Sequence, residues 1–193
     1  MRYSREQQEE TRGRILHSVS RGFRGKGFGG VGIDALAKGA EVTSGAFYGH
    51  FRSKVDAFRA AVTTGLREFT DGVANLQAQH GDGWIEALAD FYFTDRVTCD
   101  LADGCALQSL TGDVARGDAK TKTTFEKGYL ELVAALASGL RGDRADAEAR
   151  AILMTALFAG GVTIARAVRR PELRNRIAGI VRAAVVACAH EVK

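Results

Sequence analysis

Apolar residues return every three or four positions along almost the whole chain, and that period predicts helices throughout. Within residues 5–26, Ile15, Leu16, Val19 and Phe23 share one side, with Arg12, Arg14, Arg21 and Arg24 on others. The glycine-rich GKGFGGVG interrupts the pattern, which resumes over IDALAKGA with Ile33, Leu36, Ala37 and Ala40 inward. Glu41 and Val42 make a tight turn. Thr43 and Ser53 are placed to cap a third and a fourth helix, because a hydroxyl there accepts an orphan amide of the first turn. From Val55, the stripe Phe58, Val62, Leu66, Phe69, Val73 and Leu76 continues over roughly 22 residues, or ~33 Å of helix. A helix of that length can join two parts of a molecule, and HGDG at 80–83 ends it.

A fifth helix carries Trp84, Leu88, Phe91 and Tyr92, and TCDLADGC (98–105) reads as a loop. A short sixth helix spans ALQSLTGDVA. A seventh, about 119–140, carries Phe125, Tyr129, Leu132, Val133 and Leu136. The last two, 145–169 and 172–190, are rich in Ala, Gly and Val, and Pro171 and Glu172 suit a first turn. The apolar run 151–165 falls short of the ~20 residues that a bilayer requires and reads as a buried helix, with no membrane partner expected. Ile177, Ile180, Val181, Ala184, Val185 and Cys188 give the final helix a broader apolar face than one small domain needs. That breadth predicts a homodimer bundled through the last two helices, with packing inside one chain as the alternative.

Charge changes the picture in one place. Residues 1–60 hold 11 Lys/Arg against 6 Asp/Glu, a net +5, whereas the rest hold 16 against 17. A basic first third suggests a phosphate-bearing partner, although five charges over sixty residues also fit an ordinary solvated surface. The three cysteines, at 99, 105 and 188, have no CxxC spacing, and the four histidines are scattered. No metal site, cofactor or disulfide framework is expected. The polar N-terminus supplies no signal core, so the expected location is cytoplasmic.

Two short helices joined by a turn fit a helix-turn-helix. Ala37 is small where the two must cross, and Leu36, Ala40, Val42 and Phe47 are spaced to bridge the crossing. The turn favours glycine because φ is positive there, but this chain has Glu41, at a cost of about 1 kcal/mol. GFGGVGIDALAKGAEVTSGAFYGHFRSKVDAF resembles the DNA-binding domain of TetR-type transcriptional regulators. The resemblance covers roughly residues 11–58 and rests on Phe47, Tyr48, His50, Phe51 and Lys54. It implies that Phe47 and Phe51 pack inward and that Tyr48 touches DNA. It also implies that Thr43 and Ser44 offer hydroxyls and amides to phosphates, that Gly45 and Ala46 allow close approach to the groove, and that Lys54 binds phosphate. His50 is expected to pack and hydrogen-bond at the helix end. Two departures stand out: Val31 and Gly32 replace a capping Thr or Ser before the second helix, and Gly49 offers no side chain. Recognition is therefore expected to lean on phosphates and DNA shape.

The reading is an all-α protein of about nine helices. Residues 1–52 form a DNA-binding helix-turn-helix domain, and residues 53–193 a ligand-binding and dimerisation domain entered through the long helix. The expected partners are double-stranded operator DNA and a small-molecule effector. The expected function is that of a ligand-responsive regulator, a repressor released from a palindromic operator. Candidates to line the effector pocket are Trp84, Leu88, Phe91, Tyr92, Cys105, Gln108, Ser109, Phe125, Tyr129, Met154 and Phe158, each of which could equally be plain core. Cys105 begins a helix, where a thiolate is favoured, but Asp100 and Asp103 oppose that, and a structural role is the stronger reading. GFGGVG (27–32) matches GxGxxG, yet a helix precedes it, so a connector is the better reading. The alternatives are an architectural DNA binder, which would not need the acidic, aromatic middle helices, and a helical enzyme, for which no nucleophile, base or metal set is evident.

Overall fold

A computed structural model describes residues 5–190, with side chains from residue 8 onward. Among the described residues it has nine α-helices and no strand: α1 (Arg5–Gly30), α2 (Ile33–Gly39), α3 (Ser44–His50), α4 (Lys54–His80), α5 (Trp84–Thr98), α6 (Ala106–Arg116), α7 (Ala119–Ser138), α8 (Arg144–Ala167) and α9 (Pro171–His190). Short 3₁₀ turns occupy Gly81–Gly83 and Leu101–Asp103. The first helix extends beyond its expected end at residue 26. Only Gly27, at φ 71° and ψ 170°, leaves helical geometry, and one further turn follows. Likewise α4 is 27 residues long, because its helical turns continue past the apolar stripe to His80.

The described residues pack as two units, 5–65 with 100–125, and 66–99 with 126–190. In the first, Ile15, Val19 and Phe23 of α1 pack with Leu36, Ala37, Phe47 and Phe51, all buried. The α1–α2 crossing is close. A Cβ on Gly22 would stand 2.5 Å from Leu36, and Ser18 donates to the Leu36 carbonyl at 2.8 Å. Leu107, Leu110 and Val114 of α6 are also buried in this unit, and Ala106 leaves no room for a Cβ on Gly65.

In the second unit Phe69, Trp84, Leu88, Tyr92, Leu132, Leu136, Met154, Phe158 and Val185 are buried. α8 is long and apolar enough to cross a membrane by length and composition, but its buried face packs on α9 and α5. Arg150, the buried cation of α8, pairs with Asp146 at 2.9 Å and donates to the Ala189 carbonyl at 2.6 Å and to the Arg141 carbonyl, while its Nε has no hydrogen-bond partner. Two polar bridges tie α9 to α5, Arg182 to Asp90 at 2.5 Å and His190 to Glu86 at 3.0 Å. The hydrogen bond from His190 holds the Glu86 carboxyl below its ordinary pKa.

Candidate nucleic-acid interface

The turn between α2 and α3 closes through backbone hydrogen bonds. Val42 N–H donates to the Ala37 carbonyl, and Glu41 N–H to the Lys38 carbonyl, each at 3.0 Å. This is the Schellman arrangement, whose left-handed residue is usually glycine. Here it is Glu41 at φ 57°, as the spacing requires. Thr43 then caps α3 by accepting from Ala46 N–H at 3.1 Å, and Ser53 accepts from Asp56 N–H at 3.1 Å. Gly32, ahead of α2, makes no side-chain cap.

α3 is two-faced. Phe47 and Phe51 are buried, while Gly45, Ala46, Tyr48 and Gly49 are exposed, Tyr48 by 54%. The Tyr48 ring stands edge-on to Phe47 at 5.7 Å, so its base is fixed and its hydroxyl reaches solvent. Ser44 is already engaged: its hydroxyl donates to Asp34 at 2.6 Å. The Thr43 oxygen accepts the capping amide, which leaves its own proton free to donate outward.

Beside α3 runs a groove of about 900 Å³ against α1, lined by Arg12, Arg14, Thr43, Ala46, Gly49 and His50 among others. Arg12 donates to the His50 carbonyl at 3.1 Å, and its guanidinium lies 5.1 Å from the centre of the Phe51 ring. It thus steadies the C-terminal end of α3. His50 is half-buried there, and its backbone carbonyl makes that bond. Arg14 faces Glu41 at 3.8 Å. Lys54 is half-buried, with its ammonium 4.6 Å from the centre of the Phe28 ring. Sequence reasoning missed the Arg12, Ser44 and Lys54 partnerships, and helical spacing holds no signal for them because each joins different elements.

Comparison with known proteins decides what this arrangement is. Residues 15–61 match the family model described as bacterial regulatory proteins, tetR family. The helix-turn-helix segment is thus similar to that of TetR-family regulators. It is 27% identical over 146 residues to the HTH-type transcriptional repressor NemR of Escherichia coli K12, covering 71% of this chain and 70% of NemR. The structure of reduced E. coli NemR superposes with a TM-score of 0.76 at 20% identity, over 91% of this chain and 95% of that one. A TetR-family regulator from Streptomyces coelicolor gives 0.73 at 22% identity, over 95% and 97%. One from Legionella pneumophila gives 0.76 at 14%, over 97% and 98%. The shared fold is a helix-turn-helix followed by a helical C-terminal portion. The first four residues of GFGGVG (27–32) lie within α1, and only Val31 and Gly32 connect it to α2.

The residues picked out as a pocket divide between the two packing units. In the first, Cys105 is the buried residue ahead of α6, Ser109 donates to the Gln108 side chain at 3.1 Å, and Phe125 is half-buried. In the second, Tyr92 and Phe158 have ring centres 4.4 Å apart, with Phe69 5.1 Å from Tyr92. Tyr129 shares a 2.7 Å hydrogen bond with Thr155. Leu88 and Met154 are buried, and Trp84 is buried with its indole N–H 3.3 Å from the Gly139 carbonyl. Trp84 also lines a cavity of about 200 Å³ with Ile85, Leu140, Arg141 and His190. Phe91 is 38% exposed and lies under the Arg96 guanidinium at 4.7 Å.

Proposed function

We propose that this regulator is a repressor that binds a palindromic operator as a homodimer and leaves it when a small molecule binds. The observation that carries the DNA reading is the division of α3 between buried Phe47 and Phe51 and exposed Gly45, Ala46, Tyr48 and Gly49. Tyr48 contacts a sugar-phosphate edge or a base methyl. The Thr43 hydroxyl and the Lys54 ammonium bind phosphate, and Gly49 leaves recognition leaning on DNA shape. Ser44 serves through its backbone, because its hydroxyl is held by Asp34. Similarity to NemR, a repressor, supports the sign of regulation.

The dimer reading rests on the outer faces of α8 and α9. Leu153, Ile164 and Ile180 are exposed there, and Gly160 meets nothing within 4 Å of a built Cβ. Nothing around Gly160 in one chain asks for glycine, whereas close approach of a second copy does. The two copies would set their α3 helices into major grooves ~34 Å apart. Effector recognition is assigned to the Tyr92–Phe158 cluster with Trp84, Leu88, Phe91, Tyr129 and Met154 in the second unit. In the first unit it is assigned to Gln108, Ser109, Cys105 and Phe125. Effector and DNA then weaken each other by the same factor.

The test is a fluorescence anisotropy titration against the DNA upstream of the gene, over a range of salt. Nanomolar binding that Tyr48→Ala and Lys54→Ala both weaken is expected. Equal affinity for random DNA, with a steep salt slope, would refute the operator reading.

A further inference from the structure

Two contacts inside the first packing unit link α6 to the first residue of α4 through Phe28. Gly27 breaks α1, and the Phe28 N–H leaves the helical ladder to donate to Asp113 Oδ2 on α6 at 2.7 Å. The other carboxylate oxygen, Oδ1, accepts from Arg116 at 2.7 Å. The Phe28 ring stacks on Phe23 at 5.9 Å and meets Phe58 edge-on at 5.2 Å. Over that ring stands the Lys54 ammonium, 4.6 Å from its centre. A cation is attracted to an aromatic face, so the ring's place determines where the ammonium rests.

We propose that Asp113 is a positioning residue for Lys54, acting through Phe28. The proposal rests on the reading of Lys54 as a phosphate contact. With the Phe28 amide tethered, the ring presents its face at one height and holds the ammonium ready for DNA. Helix shifts of about 1–2 Å are ordinary in switching proteins. A shift of that size takes a 2.7 Å hydrogen bond beyond its working range, near 3.2 Å. A displacement of α6, which also carries Gln108 and Ser109, therefore frees Phe28 and with it Lys54. Arg116 holds the second oxygen of Asp113 but not the one that accepts the Phe28 amide, which makes it the natural control.

The experiment uses the full-length protein and an operator fragment that it selects from random DNA, titrated by anisotropy over a series of salt concentrations. Lys54→Ala is expected to lower the salt slope by about 0.9 per lysine. Asp113→Ala should reproduce that loss, and the double variant should be no worse than Lys54→Ala alone. Asp113→Asn should restore binding, because its side-chain carbonyl can still accept the Phe28 amide, and Arg116→Ala should bind like the wild type. The proposal is overturned if Asp113→Ala keeps the wild-type slope while Lys54→Ala loses it, or if the two losses add. If Asp113→Ala does not fold, Phe28→Leu carries the test: a reduced slope supports the relay and a wild-type slope overturns it. A Lys54→Ala protein that binds normally refutes the relay alone. A wild type that selects no sequence refutes the operator reading and the relay together.

Discussion

Replacing Gly27 by alanine should destabilise the protein, whereas the same change at Gly13, in the same helix, should stabilise it. At Gly27 φ is 71° and ψ 170°, a region closed to residues with a Cβ, and forcing alanine into it costs about 1–3 kcal/mol. The added Cβ would also stand 3.2 Å from Asp113 Oδ2, the atom that holds the Phe28 amide. Against this, alanine restricts the unfolded chain and returns about 0.4–1 kcal/mol. The net loss is about 1–2 kcal/mol. A Cβ at Gly13 meets nothing within 4 Å, and an exposed helical glycine-to-alanine change gains about 0.5–1 kcal/mol. The unfolded-state contribution is common to both variants and cancels between them. At this chain length, melting temperatures roughly 3–12 °C apart are expected. Circular dichroism melts at one fixed protein concentration would measure the gap, since association moves the midpoint with concentration. A Gly27→Ala protein that melts at or above the wild type, or two variants that shift together, would show that the break in α1 does not need a positive φ.

Three further outcomes are expected. Thr43→Ala should cost about 1 kcal/mol in chemical denaturation by uncapping α3, and Thr43→Ser should recover most of it; equal losses in both would remove the capping role. Asp118 accepts from Arg59 at 2.6 Å and from the Thr121 amide at 2.8 Å, and the arginine above all holds its pKa down at about 2. A depressed carboxyl stabilises the fold above its unfolded value of 3.8 and loses that effect as pH falls toward 2. The gap in urea midpoint between wild type and Asp118→Asn should therefore be open at pH 6 and closed near pH 2, and a pH-independent gap would contradict the pairing. Gly160→Leu, which has open space around it in a single chain, should fold normally yet sediment as a monomer; an unchanged dimer would move the interface elsewhere.

What could be read from the sequence was local. The helices were legible because each carries an apolar stripe, and the α2–α3 turn because its chemistry lies in adjacent residues. Ala37 at the crossing, Glu41 in the left-handed position and Thr43 as cap are all visible without knowing what they face. Partnerships between elements were not legible. Asp34 and Ser44, Arg12 and the His50 carbonyl, and Phe28 and Lys54 meet because helices cross, and spacing does not encode a crossing. The GKGFGGVG stretch misled in a specific way. Its glycines read as one flexible connector, yet within α1 the break is confined to Gly27, only Val31 and Gly32 lie outside the helices, and Phe28 is held from two sides. Phe91 is half of a surface pair with Arg96, a placement that an apolar tally over α5 could not distinguish from a core ring.

The small residues on the outer side of α8 and α9 also bear on genetics. A copy that keeps this face but carries Tyr48→Ala would still pair with wild-type protein, and the mixed dimers would hold one working half. Such an allele should be dominant in a merodiploid, spoiling regulation beside a normal gene. A copy that carries Gly160→Leu as well could no longer enter mixed dimers, and the same lesion would become recessive. Dominance would then report on a helix far along the chain from the residue proposed to touch DNA.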